Sequence, residues 1–249
     1  MRRAKRAEPY PFSMISVVIP AYNEERLIGK CLDAFASQRT RHDFEIIVVD
    51  NHSTDRTADI VRSYASRLPV RVVWEPRKGR GRARATGCAA ARGDIIASTD
   101  ADAIVPSDWI ERIATEMAAR PGAVALVGAS VIDDCDRATN FLYNHGLPVV
   151  LKGAWIMGRH GWLNGYSCAI RAGAYRASGG FDANLNAGED TELSIRLSRL
   201  GSIKLVHALD VRFSGRRFRR GIVRGAWEYA KMFRDTISRP DRVYLDDVR

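Results

Sequence analysis

Between positions 14 and 212, short runs of β-branched residues alternate with segments whose apolar positions recur every three to four residues, with turn-forming residues in between. Met14 to Pro20 (MISVVIP) is apolar almost throughout, the pattern of a strand buried on both faces. Glu24 to Ser37 predicts a helix with Leu27, Ile28, Cys31, Leu32 and Phe35 on one face. Phe44 to Asp50 (FEIIVVD) predicts a second strand, and Ser53, Thr54 and Asp55 offer caps for a helix over Arg56 to Ser66. Val70 to Trp74 predicts a third strand. Ile95 to Thr99 predicts a fourth, which ends in Asp100 and Asp102 and precedes a helix begun at Pro106 and Ser107. This repeated order predicts an α/β fold whose mostly parallel central sheet is flanked by crossover helices.

The second half is less regular. Ala123 to Val131 predicts one strand, Arg137 to Trp162 is mixed, and Gly165 to Arg171 is again strand-like, with Gly158, Gly161 and Gly165 predicting mobile loops. A helix over Thr191 to Leu200 is followed by two short strands, Ile203 to Val206 and Leu209 to Phe213. Arg216 to Thr236 predicts a basic, aromatic-studded helix before a loose tail. No internal repeat is evident.

With 46% apolar and 27% charged residues in 249, the composition is that of a globular protein and excludes a disordered or collagenous chain. The net charge of +10 raises nucleic acid, anionic membrane and phosphorylated ligands as partners. Its placement narrows them: residues 1–8 carry a net +3 and residues 212–249 a net +6, which leaves the centre almost neutral. Ala138 to Leu151 and Pro121 to Ile132 are the longest uncharged runs, and both fall short of the roughly 20 residues that span a bilayer. The basic N-terminus lacks the apolar stretch of a secretory signal, so the expected location is the cytoplasm, with peripheral attachment at the inner face of the membrane as an extension of that reading. Cys31, Cys88, Cys135 and Cys168 are widely spaced and read as reduced, mostly buried thiols.

Candidate chemistry lies at the carboxyl ends of the predicted strands, where open α/β sheets bind ligands. Asp50 closes IIVVD, and Asp100 and Asp102 close IIASTD as an Asp-x-Asp triplet. Such a triplet suits one carboxylate facing a ribose and the other on a hard divalent ion that neutralises a diphosphate, although aspartates also cap helices routinely. Gly188-Glu189-Asp190 opens the Thr191 helix. Asp190 reads either as part of the helix cap or as a general base, because a carboxylate held by helix amides stays ionised. Lys78, Arg80, Arg82 and Arg84 have the spacing of a solvated charge run, and Trp155, Trp162 and Tyr166 read as sugar platforms or as core.

Taken together, SVVIPAYNEE (Ser16 to Glu25), IIVVDNHSTDRT, the Gly79-to-Gly93 segment, STDAD, GGFD (Gly179 to Asp182) and GED occur in an order that resembles family 2 glycosyltransferases of the GT-A fold, over roughly residues 14 to 217. The resemblance implies a Rossmann-like transferase domain over residues 14–215, between a basic tail at 1–13 and a basic amphipathic helix and tail at 216–249. It implies that Pro20, Tyr22 and Glu24 line the nucleotide-base pocket, that Asp50 meets the base, and that Lys78 and Arg84 approach the nucleotide. Asp100 then faces the ribose or the metal, and Asp102 binds the Mg²⁺ or Mn²⁺ ion. Asp190 is the base, while Glu189, Trp162, Asn164, Gly165, Phe181 and Asp182 border the donor sugar and the acceptor entrance. Two departures stand out. Ala85 replaces the usual Asn of G-x-x-x-A-R-N-x-G, and Ser214 occupies the position where many relatives place a metal-ligating His, with His207 out of register as an ordinary strand histidine.

The implied function is inverting transfer of a sugar from a nucleotide diphosphate donor, with uridine the expected base, to an acceptor hydroxyl or a lipid-linked phosphate. The C-terminal helix reads as a surface for anionic membrane or as a helix packed on the core, and Arg216 or Arg217 within it as a contact for a diphosphate. A catalytically silent nucleotide-sugar-binding or scaffold protein of the same fold is the alternative, which intact Asp100, Asp102 and Asp190 argue against. Nucleic-acid binding is disfavoured because no binding module appears, and a Rossmann dehydrogenase because no GxGxxG follows the first strand.

Overall fold

A computed structural model describes residues 12–146, 161–185, 188–218 and Trp227. Strands β1 (Met14–Ala21), β2 (Asp43–Asp50), β3 (Val70–Trp74) and β4 (Ile95–Thr99) are parallel, with helices α1 (Ile28–Ala36), α2 (Thr57–Ser63) and α3 (Arg80–Ala89) between them. They form one side of a seven-stranded sheet of order β3-β2-β1-β4-β8-β6-β9, in which β6 is Ala123–Val127, β8 is Ser167–Arg171 and β9 is Ser202–Leu205. β8 runs antiparallel to both its neighbours, β4 and β6. A separate three-stranded sheet, β5-β10-β7, joins Ala103–Ile104, Val211–Phe213 and Ser130–Val131.

The all-apolar strands are explained by two covered faces. Ile15, Val17 and Ile19 of β1 share a core with Ile28, Leu32 and Phe35 of α1, Val61 of α2, and Trp109, Ile113 and Met117 of α4 (Trp109–Ala119). Val18 points the other way, into a second core with Ile47, Val49, Ala83 of α3, Tyr175 of α6 (Ala172–Ala177), and Leu193 and Leu197 of α7 (Glu189–Ser198). Alternate strand residues thus feed opposite layers, as the period of two requires.

The predicted strands β1 to β4 lie where the apolar runs place them. Helix starts differ: residues 24–27 form a turn, in which Leu27 and Ile28 both donate backbone N–H to the Glu24 carbonyl at 2.9 Å, so α1 begins at Ile28. The run Ala123–Val131 is two strands rather than one, because at Gly128 the chain leaves the large sheet and β7 pairs with β10. Residues 137–146 are helical (α5). Of the predicted C-terminal helix, Arg216–Phe218 form a 3₁₀ turn, and Arg219 onward lies outside the described residues except for Trp227. Among the described residues no helix is long and apolar enough to cross a membrane.

Register brings the site together. Ala21 pairs with Asp50 and Asp50 with Trp74, so β1, β2 and β3 end at one edge. β8 is antiparallel and Thr99 pairs with Ser167, so the loop that enters β8 reaches the same edge at which β4 ends. Layer contact there is close: a Cβ on Gly87 of α3 would lie 2.4 Å from Val18 Cγ1 and 2.7 Å from Val49 Cγ2. Gly87→Ala is therefore expected to cost about 1–3 kcal/mol by overpacking, read as a lower urea midpoint with an unchanged m-value.

Candidate active site

Arg84 sits on the buried side of α3, 1% exposed, and its guanidinium is satisfied by four residues from three separate segments. Nη2 donates to Asp100 Oδ1 at 2.8 Å, Nε to Glu189 Oε1 at 3.2 Å, and Nη1 to Ser98 Oγ at 2.6 Å and to the Gly165 carbonyl at 2.9 Å. Burial opposes its charge, but Asp100 and Glu189 more than offset this and hold the group protonated above its ordinary range. Gly165 is not a loose hinge. A Cβ there would lie 2.0 Å from Arg84 Nη2, so the backbone approach needs glycine.

Asp100, at the end of β4, and Glu189, in the first turn of α7, are thereby fixed to one cation although 89 positions separate them. Asp190 follows Glu189 and is half-buried, its Oδ1 accepting the Thr191 N–H at 2.7 Å. The N-cap itself is Gly188, so Asp190 stands inside the first turn. Desolvation, and then the Glu189 carboxylate, push Asp190 up to about 6.

A second cluster lies beside it. Glu24 holds Arg216 through two contacts, Oε1 to Nη2 at 2.8 Å and Oε2 to Nη1 at 3.2 Å. The same Nη2 is 3.1 Å from Asp102 Oδ2, a buried oxygen that receives no aligned hydrogen bond. Burial pushes Asp102 up to about 7, with Arg216 pulling the other way and Asp100 and Glu24 adding to the rise. Among the described residues no group of three or more His, Cys, Asp or Glu has metal-holding geometry. Ser214 donates to Asp134 at 3.1 Å, and His207 lies exposed in a 3₁₀ turn beside Asp210 rather than in a strand. The orphaned Asp102 oxygen fits one ligand of a hard cation, most of whose other ligands a diphosphate would have to supply.

The base-side residues form a third group. Lys78 Nζ lies 3.9 Å from the Tyr22 ring centroid, and Pro20 is half-buried at the end of β1. Asp50 is buried and accepts the Ser53 N–H at 3.1 Å. Asn51 fixes the turn that carries Lys78: its Nδ2 donates to the Glu75 and Arg77 carbonyls at 3.3 and 2.8 Å, and its Oδ1 accepts the Gly79 N–H at 2.8 Å. Residues 75–79 therefore depend on Asn51, which composition and motif reading pass over.

The remaining predicted residues divide. Asn164 bridges the Gly128 carbonyl and the Ser167 N–H with its amide. Phe181 is buried in the second core against Tyr175, whereas Asp182 is exposed. Trp162 is half-buried, Tyr166 packs on the first core beside Phe213, and Trp155 lies outside the described residues.

The family model described as Glycosyl transferase family 2 matches residues 16–182, about two thirds of the sequence. The chain belongs to glycosyl transferase family 2.

Among the relatives of this family 2 chain is a probable glycosyltransferase, YdaM, of Bacillus subtilis (strain 168), 31% identical over 198 residues, which cover 75% of this chain and 47% of that protein. An undecaprenyl-phosphate 4-deoxy-4-formamido-L-arabinose transferase of Pseudomonas fluorescens (strain Pf-5) is 34% identical over 114 residues, 44% of this chain and 34% of the other. The chain spans about a third to a half of the length of such curated relatives. Among solved structures, the mannosyltransferase PcManGT from Pyrobaculum calidifontis, in complex with GDP-Man and Mn²⁺, superposes with a TM-score of 0.65 at 26% identity, covering 92% of this chain and 66% of that one. The architecture is thus that of the GT-A fold.

Arg84 is the residue on which this family 2 site turns. Arg84→Met leaves Glu189 buried without its cation and is expected to cost about 3–5 kcal/mol. Arg84→Met/Glu189→Leu should recover part of that loss, and thermal melts of both variants, with a double-mutant cycle, measure the coupling.

Proposed function

We propose that the chain transfers a sugar, with inversion, from a nucleoside diphosphate donor to an acceptor hydroxyl or a lipid-linked phosphate, and that Asp190 is the general base. The observation that carries this reading is the Asp100–Arg84–Glu189 chain of ion pairs, which holds the strand-end carboxylates and the start of α7 in one fixed relation. Family membership supports the reaction class, and the lipid-phosphate acceptor takes its support from the name of the Pseudomonas relative. We take residues 14–215 as the transferase domain.

In this reading the nucleoside lies over the ends of β1, β2 and β3, with Tyr22 and Lys78 against the base and Asp50 accepting a base N–H. A Mg²⁺ or Mn²⁺ ion on Asp102 and the diphosphate would neutralise the departing nucleoside diphosphate, and PcManGT with its Mn²⁺ supports the use of a divalent ion. Asp100 orients the ribose while Arg84 fixes its rotamer. Asp190, ionised above about pH 6, takes the acceptor hydroxyl's proton as the oxygen attacks the anomeric carbon. Glu189 raises the basicity of Asp190, because a second carboxylate beside it disfavours the charge that protonation removes. A phosphate acceptor is already ionised and would need Asp190 only for orientation.

The decisive test is a donor screen that measures free nucleoside diphosphate released from UDP-sugars and GDP-sugars, with and without Mn²⁺. Slow hydrolysis of one donor is expected, and no release from any donor contradicts the reading. With a hydroxyl acceptor, Asp190→Asn should lower transfer by about 10²-fold or more while donor affinity stays within experimental error. Because protonation removes the base, kcat/KM of the wild type should fall as pH drops through about 6, and the Asn variant should lack this limb. An Asn variant as active as the wild type would show that Asp190 serves only the helix.

A further inference from the structure

Arg216 lies within the basic segment whose charge reads as a membrane or core-packing surface, yet its side chain turns inward to the strand-end carboxylates. It is only 28% exposed, bidentate on Glu24 and 3.1 Å from Asp102 Oδ2. Its backbone does not hang from a loose end. The preceding Gly215 donates its N–H to Asp134 Oδ1 at 2.6 Å and Ser214 Oγ donates to the same carboxylate, while Phe218 donates to the Gly215 carbonyl at 2.7 Å and packs on Tyr143 of α5 with ring centroids 5.0 Å apart. The turn is clasped on both sides, so the guanidinium is aimed.

Charge explains why a cation belongs there. Glu24, Asp100 and Asp102 face one another, Arg84 neutralises Asp100, and Arg216 is the cation on Glu24 and Asp102. The geometry points to Arg216 as a diphosphate-binding residue that holds the divalent cation's place on Asp102 in the donor-free protein. This rests on the reading of the crevice as a nucleoside diphosphate site. Glu24, Asp100 and Asp102 already outnumber the two guanidiniums, Glu189 shares Arg84 with Asp100, and a metal-bound diphosphate ester of a donor adds no further negative charge. A metal-free diphosphate adds two negative charges, and Arg216, beside Asp102, is placed to meet it. When the ion takes Asp102, Arg216 keeps one carboxylate, Glu24, and has donors free for the phosphate oxygens, a task suited to a planar fork of N–H groups. Asp102 is thus never left as an isolated buried charge, which the low-dielectric edge of the sheet would penalise. Ser214 fits the same account, because its hydroxyl is spent on Asp134 and the cation is supplied two residues later.

Arg216→Ala and Arg216→Lys, compared with wild type, test this through binding rather than turnover. Mn²⁺ binding to the protein alone is read by electron paramagnetic resonance, and UDP and GDP binding in EDTA by calorimetry, with uridine and guanosine as phosphate-free controls. Loss of the competing cation should tighten Mn²⁺ binding by about fivefold or more in the Ala variant. Loss of a charge-assisted contact should weaken metal-free nucleoside diphosphate binding by about tenfold, with Lys intermediate and the nucleosides unaffected. A lower melting temperature with both affinities unchanged would make Arg216 a structural clasp and overturn the inference, while UDP or GDP binding by the wild type in the same experiment would leave the proposed function standing. If Mn²⁺ tightens but neither nucleoside diphosphate binds the wild type with or without metal, the diphosphate assignment and the proposed function fall together.

Discussion

Burying one guanidinium is the constraint around which this molecule is arranged. An unpaired charge at 1% exposure would be untenable, so Arg84 must find acceptors on every side, and they come from three different parts of the chain. Ser98 and Asp100 bring β4 and its exit, Gly165 brings the loop into β8, and Glu189 brings the N-terminus of α7. These segments cannot shift independently without stranding a charge. The arginine thereby turns sheet topology into site geometry, and the site is built on strand ends and a helix start, which hold position better than loops.

The sheet explains why the acceptors are within reach. Parallel β1, β2 and β4 deliver their carboxyl ends to one edge, where Glu24, Asp50, Asp100 and Asp102 gather. The antiparallel β8, inserted between β4 and β6, brings its entry rather than its exit to that edge, and with it Gly165. The small sheet β5-β10-β7 continues from there, and β10 leads directly into Ser214, Gly215 and Arg216. Two arginines far apart in the sequence therefore meet the carboxylates, one on α3 and one from the turn after β10.

Much of this was legible in the sequence because it depends on local patterns. Runs such as MISVVIP and FEIIVVD have no polar face, so they can only be interior strands, and the carboxylates that close them mark the crevice. What was not legible depends on distance. Arg84 within Lys78-Gly-Arg-Gly-Arg-Ala-Arg has the same spacing as a solvated charge run, and only the packing of α3 shows that it points inward while Lys78 is exposed. Arg216 was legible only as one of two arginines, with Arg217, suited to a diphosphate, and its turn inward to Glu24 and Asp102 was not; Asn51 was hidden beside a more conspicuous aspartate, and the direction of β8 in a strand whose pattern reads alike in both orientations. The glycines after Gly158 read as mobility, whereas Gly165 is glycine because an arginine lies against it.

The central claim is that the edge formed by β1, β2 and β4 receives a nucleoside diphosphate with its metal. Crystals grown with Mn²⁺ and UDP or GDP, measured at the manganese absorption edge, address it directly. The account predicts an anomalous peak within about 2.5 Å of an Asp102 carboxylate oxygen, with the diphosphate between it and Arg216 and the base beside Tyr22 and Asp50. A nucleotide bound away from this edge, or a manganese peak remote from Asp102, would contradict it.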